Sequence, residues 1–293
     1  MIFAFGLSSI THYAINSQSK PSKVEGVNID DLYGLKQQIR LSQSNKTIPH
    51  TKKDIHCMTQ NIFFLAGTGA ALAGNFTPPL GCKAFLTVQT LECHVSHHYT
   101  CMGDAKGDQW RADFDAEGIF YLSRIDTEGQ WLESQDFFPP SVQLLDANPV
   151  DPASFTELLS GVDSFDFNLT KDNGEETRVT GFDQLTGADL TIDGVSLKET
   201  NFSFYETDRS GKLLRQAVGT EFISPKWRMF FSGPSKWNFG DDEWIAAEDR
   251  PIKFLEPSDN GFLSNKPLFG CNAVKARFLI PTDTTEAQSH DNL

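Results

Sequence analysis

The sequence predicts an all-β protein, an antiparallel meander forming a barrel or a sandwich, with one short helix. Three observations lead there. From about residue 84 onward, apolar residues recur with a period of two, the spacing that puts alternate side chains on opposite faces of a strand. Glycine-bearing turn signals separate these runs at intervals of roughly ten residues, the rhythm of hairpin-connected strands. No series of strands alternating with helices follows, which excludes a parallel α/β architecture. The chain has 293 residues, 39% of them hydrophobic, and is long enough to bury a substantial core.

Taken in order, residues 1–57 form a polar N-terminal extension. Asn28 is a suitable N-cap for a short helix through Leu32, Leu35 and Ile39, whose apolar stripe is narrow. Residues 58–73 read as a signal peptide. The apolar run Ile62 to Leu72 ends in Ala71-Leu72-Ala73, with small residues at −3 and −1 of a cleavage site. This run falls short of the ~20 apolar residues that cross a bilayer, so no membrane span is expected in the mature form. Cleavage after Ala73 would remove the extension together with Cys57.

Residues 74–281 are the expected β domain. Phe165, Phe167 and Leu169 alternate with Asp166, Asn168 and Thr170, one face for a core and one for water. The same pattern places Trp110, Ala112 and Phe114 inward, as it does Leu214, Val218 and Phe222, and Trp227, Met229 and Phe231. Turns are expected at Glu117-Gly118, Glu128-Gly129, Asn173-Gly174, Asp193-Gly194 and Ser210-Gly211, each supplying a residue that tolerates positive φ. An irregular connection, marked by Phe137-Phe138-Pro139-Pro140 and Asn148-Pro149, separates a first strand group (84–136) from a second (163–280). The helix lies just after it, in DPASFTELLSG. It starts at Asp151 with Pro152 at N1, or at Ser154 with Glu157 as a capping box, and stops at Gly161. Residues 282–293 are a polar tail without periodicity, expected to be disordered.

Charge narrows the function. The net charge of −14 is carried entirely by the body, since residues 1–57 hold seven basic and four acidic side chains. A body this acidic lacks the basic stripe that tracks phosphates, so nucleic acid is not an expected partner. With Cys57 removed, Cys82, Cys93, Cys101 and Cys271 form an even set suited to two bridges in an oxidising compartment, periplasmic or extracellular. Four cysteines allow three connectivities. The favoured one closes a small loop from Cys93 to Cys101 and ties Cys82 to Cys271.

Two stretches offer chemistry. The nonapeptide CHVSHHYTC holds every histidine available to the β domain, namely His94, His97 and His98. With Cys93 and Cys101 they have the donors for a tetrahedral zinc site, although crowding all donors into one loop is unlike the spaced pairs of a zinc module. The second stretch, SPKWRMFFSGPSKW, is a basic and aromatic island. Lys226, Trp227, Arg228 and Trp237 would form a stacking surface for a saccharide or an anion, or else Trp227 faces the core while Lys226 and Arg228 face water. HExxH and GxSxG motifs are missing.

The sequence therefore reads as an exported, acidic β protein without a cofactor, a binding or envelope-associated module for a small ligand or an envelope partner. The alternatives are a metal-dependent hydrolase using His94, His97 and His98, and a purely structural or interaction protein.

Overall fold

The structure is a computed structural model and describes residues 74–271 except Asp242. The extension, its Asn28 helix, the leader at 58–73, the end of the expected β domain and the tail all lie outside the described residues.

The expected antiparallel meander is present as a single sheet of 13 strands. In chain order these are β1 (Cys82–Thr90), β2 (Val95–Cys101), β3 (Gln109–Phe114), β4 (Ile119–Ile125), β5 (Trp131–Phe137), β6 (Pro140–Leu145), β7 (Val162–Lys171), β8 (Glu176–Ile192), β9 (Val195–Asp208), β10 (Leu213–Ser224), β11 (Met229–Asn238), β12 (Ile245–Glu248) and β13 (Pro251–Leu255). Each strand from β1 to β12 pairs with its sequence neighbour, and β13 then returns to pair with β1. The sheet is thus not closed by hydrogen bonds. Its two edge strands, β12 and β13, are instead consecutive in the chain, which passes from one edge to the other across Asp249 and Arg250.

The sheet curls so that β13 approaches β11 and β8, a sandwich-like arrangement. The longest hairpin is β8–β9. Its turn, with Asp193 (φ 47°) and Gly194 (φ 79°), is of the kind whose twist matches paired strands. From that turn the Asp193 carboxylate accepts the Phe254 N–H of β13 at 2.9 Å.

β7 shows the expected alternation, with Phe165, Phe167 and Leu169 buried and Ser164 and Asn168 exposed. Opposite β7, Gly181 of β8 is a site of close approach. A Cβ there would lie 2.1 Å from the Ser203 carbonyl oxygen and 2.6 Å from the Phe165 ring. β10 departs from expectation, because Arg215 and Ala217 are buried while Val218 is 38% exposed. Phe222, on the same face as Val218, is nevertheless buried, because this end of β10 is covered on both sides: Glu221, Phe222 and Ile223 are all buried. The expected irregular connection is also partly strand. Pro140 opens β6, which pairs with both β5 and β7 and joins the two strand groups into one sheet.

The helix, α1 (Phe155–Leu158), is capped by Ser154, whose hydroxyl accepts the Glu157 N–H, and Gly161 follows it at φ 137°. Glu128, in the β4–β5 turn, holds it. Its carbonyl accepts Phe155 N at 2.9 Å and its carboxylate accepts Thr156 N at 2.8 Å. Phe155 and Leu158 are fully buried against the core.

That core has two parts. The larger lies inside the curl and is built on Phe155, Phe165, Phe167, Phe202, Phe204 and Trp237. The smaller lies on the outer face of β1–β4, where Val95, Tyr99, Trp110 and Phe114 are covered by Phe76, Phe262 and Leu263. Phe76 N donates to Leu263 O at 2.7 Å, which pins the first described residues to the last turn of the fold. This part of the sheet is buried on both faces, so its inner face lies in the interior whatever its polarity.

Candidate functional site: a polar chamber behind β1–β3

The CHVSHHYTC stretch is a strand, not a loop, and the strand decides what its residues can do. A period of two sends His94, Ser96 and His98 to the inner face, and Val95, His97 and Tyr99 to the outer core. From Val95 to Cys101 the strand alone rises roughly 20 Å, far beyond the reach of a disulfide closed from its start to its end. The expected pairing is therefore corrected. Cys82 bonds Cys101, its cross-strand partner in the β1–β2 ladder, and Cys93 bonds Cys271. Two such bridges belong to a protein that matures outside the reducing cytoplasm.

The three histidines do not converge on one ion. His97 is stacked on Phe76 at 4.8 Å between ring centres. Its Nε2 donates to Asn265 Oδ1 at 3.1 Å and its Nδ1 accepts from Thr87 Oγ1 at 3.0 Å, with the proton assigned from these partners. Burial pushes its pKa down to about 4. It is a satisfied structural histidine. Cys93 and Cys101 are spent in separate bridges, and among the described residues no three His, Cys, Asp or Glu side chains are grouped to hold a metal.

The inner face differs. His94 Nδ1 donates to Asp249 Oδ2 at 2.8 Å, and the other oxygen of that carboxylate accepts Glu92 N at 3.0 Å. Burial alone would lower the His94 pKa, but the charge of Asp249 and its hydrogen bond outweigh this and raise it. Burial would likewise raise Asp249, yet His94 holds it below the usual carboxylate range. Asp249 sits where the chain crosses between the two sheet edges, so this pair fastens the crossing to the β1–β2 turn.

Next along the face, His98 pairs across the ladder with Arg111, and Ser96 with Asp113. Arg111 forms an ion pair with Asp113 at 2.8 Å and lies over the Tyr121 ring at 5.4 Å. Burial, then the Arg111 charge, keeps His98 well below its ordinary pKa, so the ring is neutral. Its Nε2 is buried and has no hydrogen-bond partner.

Between these groups and β11 lies a cavity of about 40 Å³. It is lined by His94, Ser96, His98, Arg111, Asp113 and Asp249, with Phe120 of β4 beside His94, and by Phe230, Phe231 and Ser232 of β11. At ~10–15 Å³ per water, the chamber has room for about three waters. A third buried ion pair, Arg215 with Glu206, lies outside the chamber's lining, and Gln143 also donates to Glu206.

The aromatic island does not assemble into a ligand surface. Trp237 is buried in the main core, its Nε1 donating to Ser235 Oγ at 3.1 Å. Trp227 is half-buried, stacked on Phe254 at 5.7 Å, with Lys226 Nζ 4.5 Å above its ring and also paired with Glu256. Arg228 turns away to α1, donating to Thr127 O and Glu128 Oε1, both at 2.7 Å.

Sequence reasoning missed Arg111, Asp113 and Asp249. The WRADF run places Arg111 and Asp113 opposite the apolar residues, a position that reads as solvent-facing. Only the enclosure of both faces makes them interior, and no local signal encodes that. No protein-family model, curated protein or solved structure matches the chain.

Proposed function

We propose that the protein is an exported binding module, periplasmic or extracellular, that holds a small ligand in the chamber behind β1–β3. The observation that carries this reading is the chamber itself. Inside a phenylalanine-rich interior it gathers two ion pairs and a neutral histidine around one cavity, although burying charge costs more than packing apolar side chains there. Export is supported by the two bridges and by the leader, after which Gly74 already takes part in the fold, its carbonyl accepting Asn265 N at 3.1 Å. A metal-dependent hydrolase on His94, His97 and His98 would need groups from opposite faces of β2 to meet, so it is the weaker alternative.

Mass spectrometry of the natively produced protein tests the proposal. The expected result is a chain beginning at Gly74 that gains four hydrogens on reduction, and that under non-denaturing conditions carries a small non-metal ligand. A chain that retains Cys57 and has free thiols would overturn it.

A further inference from the structure

We infer that the chamber selects a small uncharged molecule with one hydrogen-bonding edge and one apolar face, the chemistry of a short-chain amide or alcohol. This rests on the binding role proposed above and goes further, to the class of ligand.

The charge balance of the walls comes first. Arg111 is matched by Asp113 and protonated His94 by Asp249, each at 2.8 Å, so below the raised His94 pKa the floor carries both signs and no surplus of either. A charged ligand would bring into this enclosed space a charge that no wall residue answers, which a buried site disfavours strongly. The second argument is the hydrogen bond on offer. His98 is neutral, and its Nε2 is a buried polar atom without a partner, a position that native interiors seldom leave unfilled. Ser96 and Ser232 bring hydroxyls to the chamber from the floor and from β11. A ligand edge that both donates and accepts can use a neutral imidazole in either tautomer.

Shape is the third argument. Phe230 and Phe231 of β11 line the chamber across from β2 and β3, and Phe120 of β4 lies beside His94 with 5.0 Å between ring centres, so the ligand meets both rings and polar groups. The small volume limits it to a few heavy atoms, or to the terminal group of something longer that enters beside the Asp249 crossing, which forms part of the wall.

The test uses the oxidised, isotope-labelled protein and three probes of similar size: acetamide, acetate and methylammonium. Histidine ring resonances are followed by NMR during titration. Acetamide should shift the His98 ring saturably, with an apparent Kd at least tenfold below that of either charged probe. The His97 ring, on the other face of β2, should not move. Ser232→Ala should weaken acetamide several-fold and leave the backbone spectrum intact; Ser96→Ala is the second variant should the first disturb folding. If no probe moves His98 the chamber holds water alone, and if acetate or methylammonium binds best the selectivity is of the wrong kind; either result overturns the inference. Should the exported protein carry two bridges and a different ligand while acetamide leaves His98 unmoved, the ligand class falls and the binding role stands. Should acetamide bind as expected to a protein found to mature in a reducing compartment, export falls and the ligand class stands.

Discussion

At the scale of single residues, His94, just before β2, and His97 within it show how one extended run shifts two histidines in opposite directions. His94 has a raised pKa, so the stability it contributes is fully present below about pH 6.5, its unfolded value, and is lost as pH rises through the folded one. Asp249 is depressed, so its contribution is present above the unfolded carboxylate value of ~3.9 and is lost as pH falls through the folded one. The pair therefore stabilises most between about pH 4 and 6.5. His97 acts in the opposite direction. Its folded pKa of about 4 means that the unfolded chain takes the proton first, which lowers stability as pH falls from about 6.5 towards 4. Asp249→Asn should cost on the order of 3 kcal/mol in urea unfolding within that window and less on either side of it. A difference from wild type that stays constant from pH 4 to 9 would show that Asp249 acts through packing alone.

At the scale of elements, β7, the glycine-bearing turns and α1 were legible because each is decided locally, by period, by positive φ or by a cap. The pairing of Cys82 with Cys101 was legible in principle, since a strand reading of CHVSHHYTC already forbids closing Cys93 onto Cys101. The inward turn of Arg111 and Asp113 was not legible. It depends on Phe76, Phe262 and Leu263, from opposite ends of the fold, covering the outer face of β1–β4. Nor was the uneven burial of β10, where Val218 is exposed and Phe222, on the same face, is buried. Gly181 offers an element-scale test. Its missing Cβ lets β8 pass beneath the Phe165 ring, so Gly181→Ala would drive a methyl group into the Ser203 carbonyl or displace the ring. The expected loss is roughly 2 to 4 kcal/mol in denaturant unfolding, large for so small a change. A loss under ~0.5 kcal/mol would mean that the two strands separate there without cost.

At the scale of the whole molecule, the sheet is held as one body by connections between distant parts: the crossing at Asp249-Arg250, the Asp193 tip against β13, and the Cys93–Cys271 bridge, while Cys82–Cys101 fastens neighbouring strands. The bridges differ in reach, with sequence separations of 19 and 178. In the chain-entropy model these correspond to about 3 and about 5 kcal/mol, so removing the Cys93–Cys271 pair as a double alanine variant should lower stability more than removing Cys82–Cys101. Equal losses, measured by thermal unfolding of the two variants, would show that the unfolded chain does not feel the longer closure. A last consequence follows from Gly74 accepting a hydrogen bond from Asn265. The points where the chain enters and leaves this sheet are side by side, so the unit has the geometry of a bead on a loop. It can be spliced into a host protein through these two points, or opened at a distant hairpin such as Asn173-Gly174, without moving a strand.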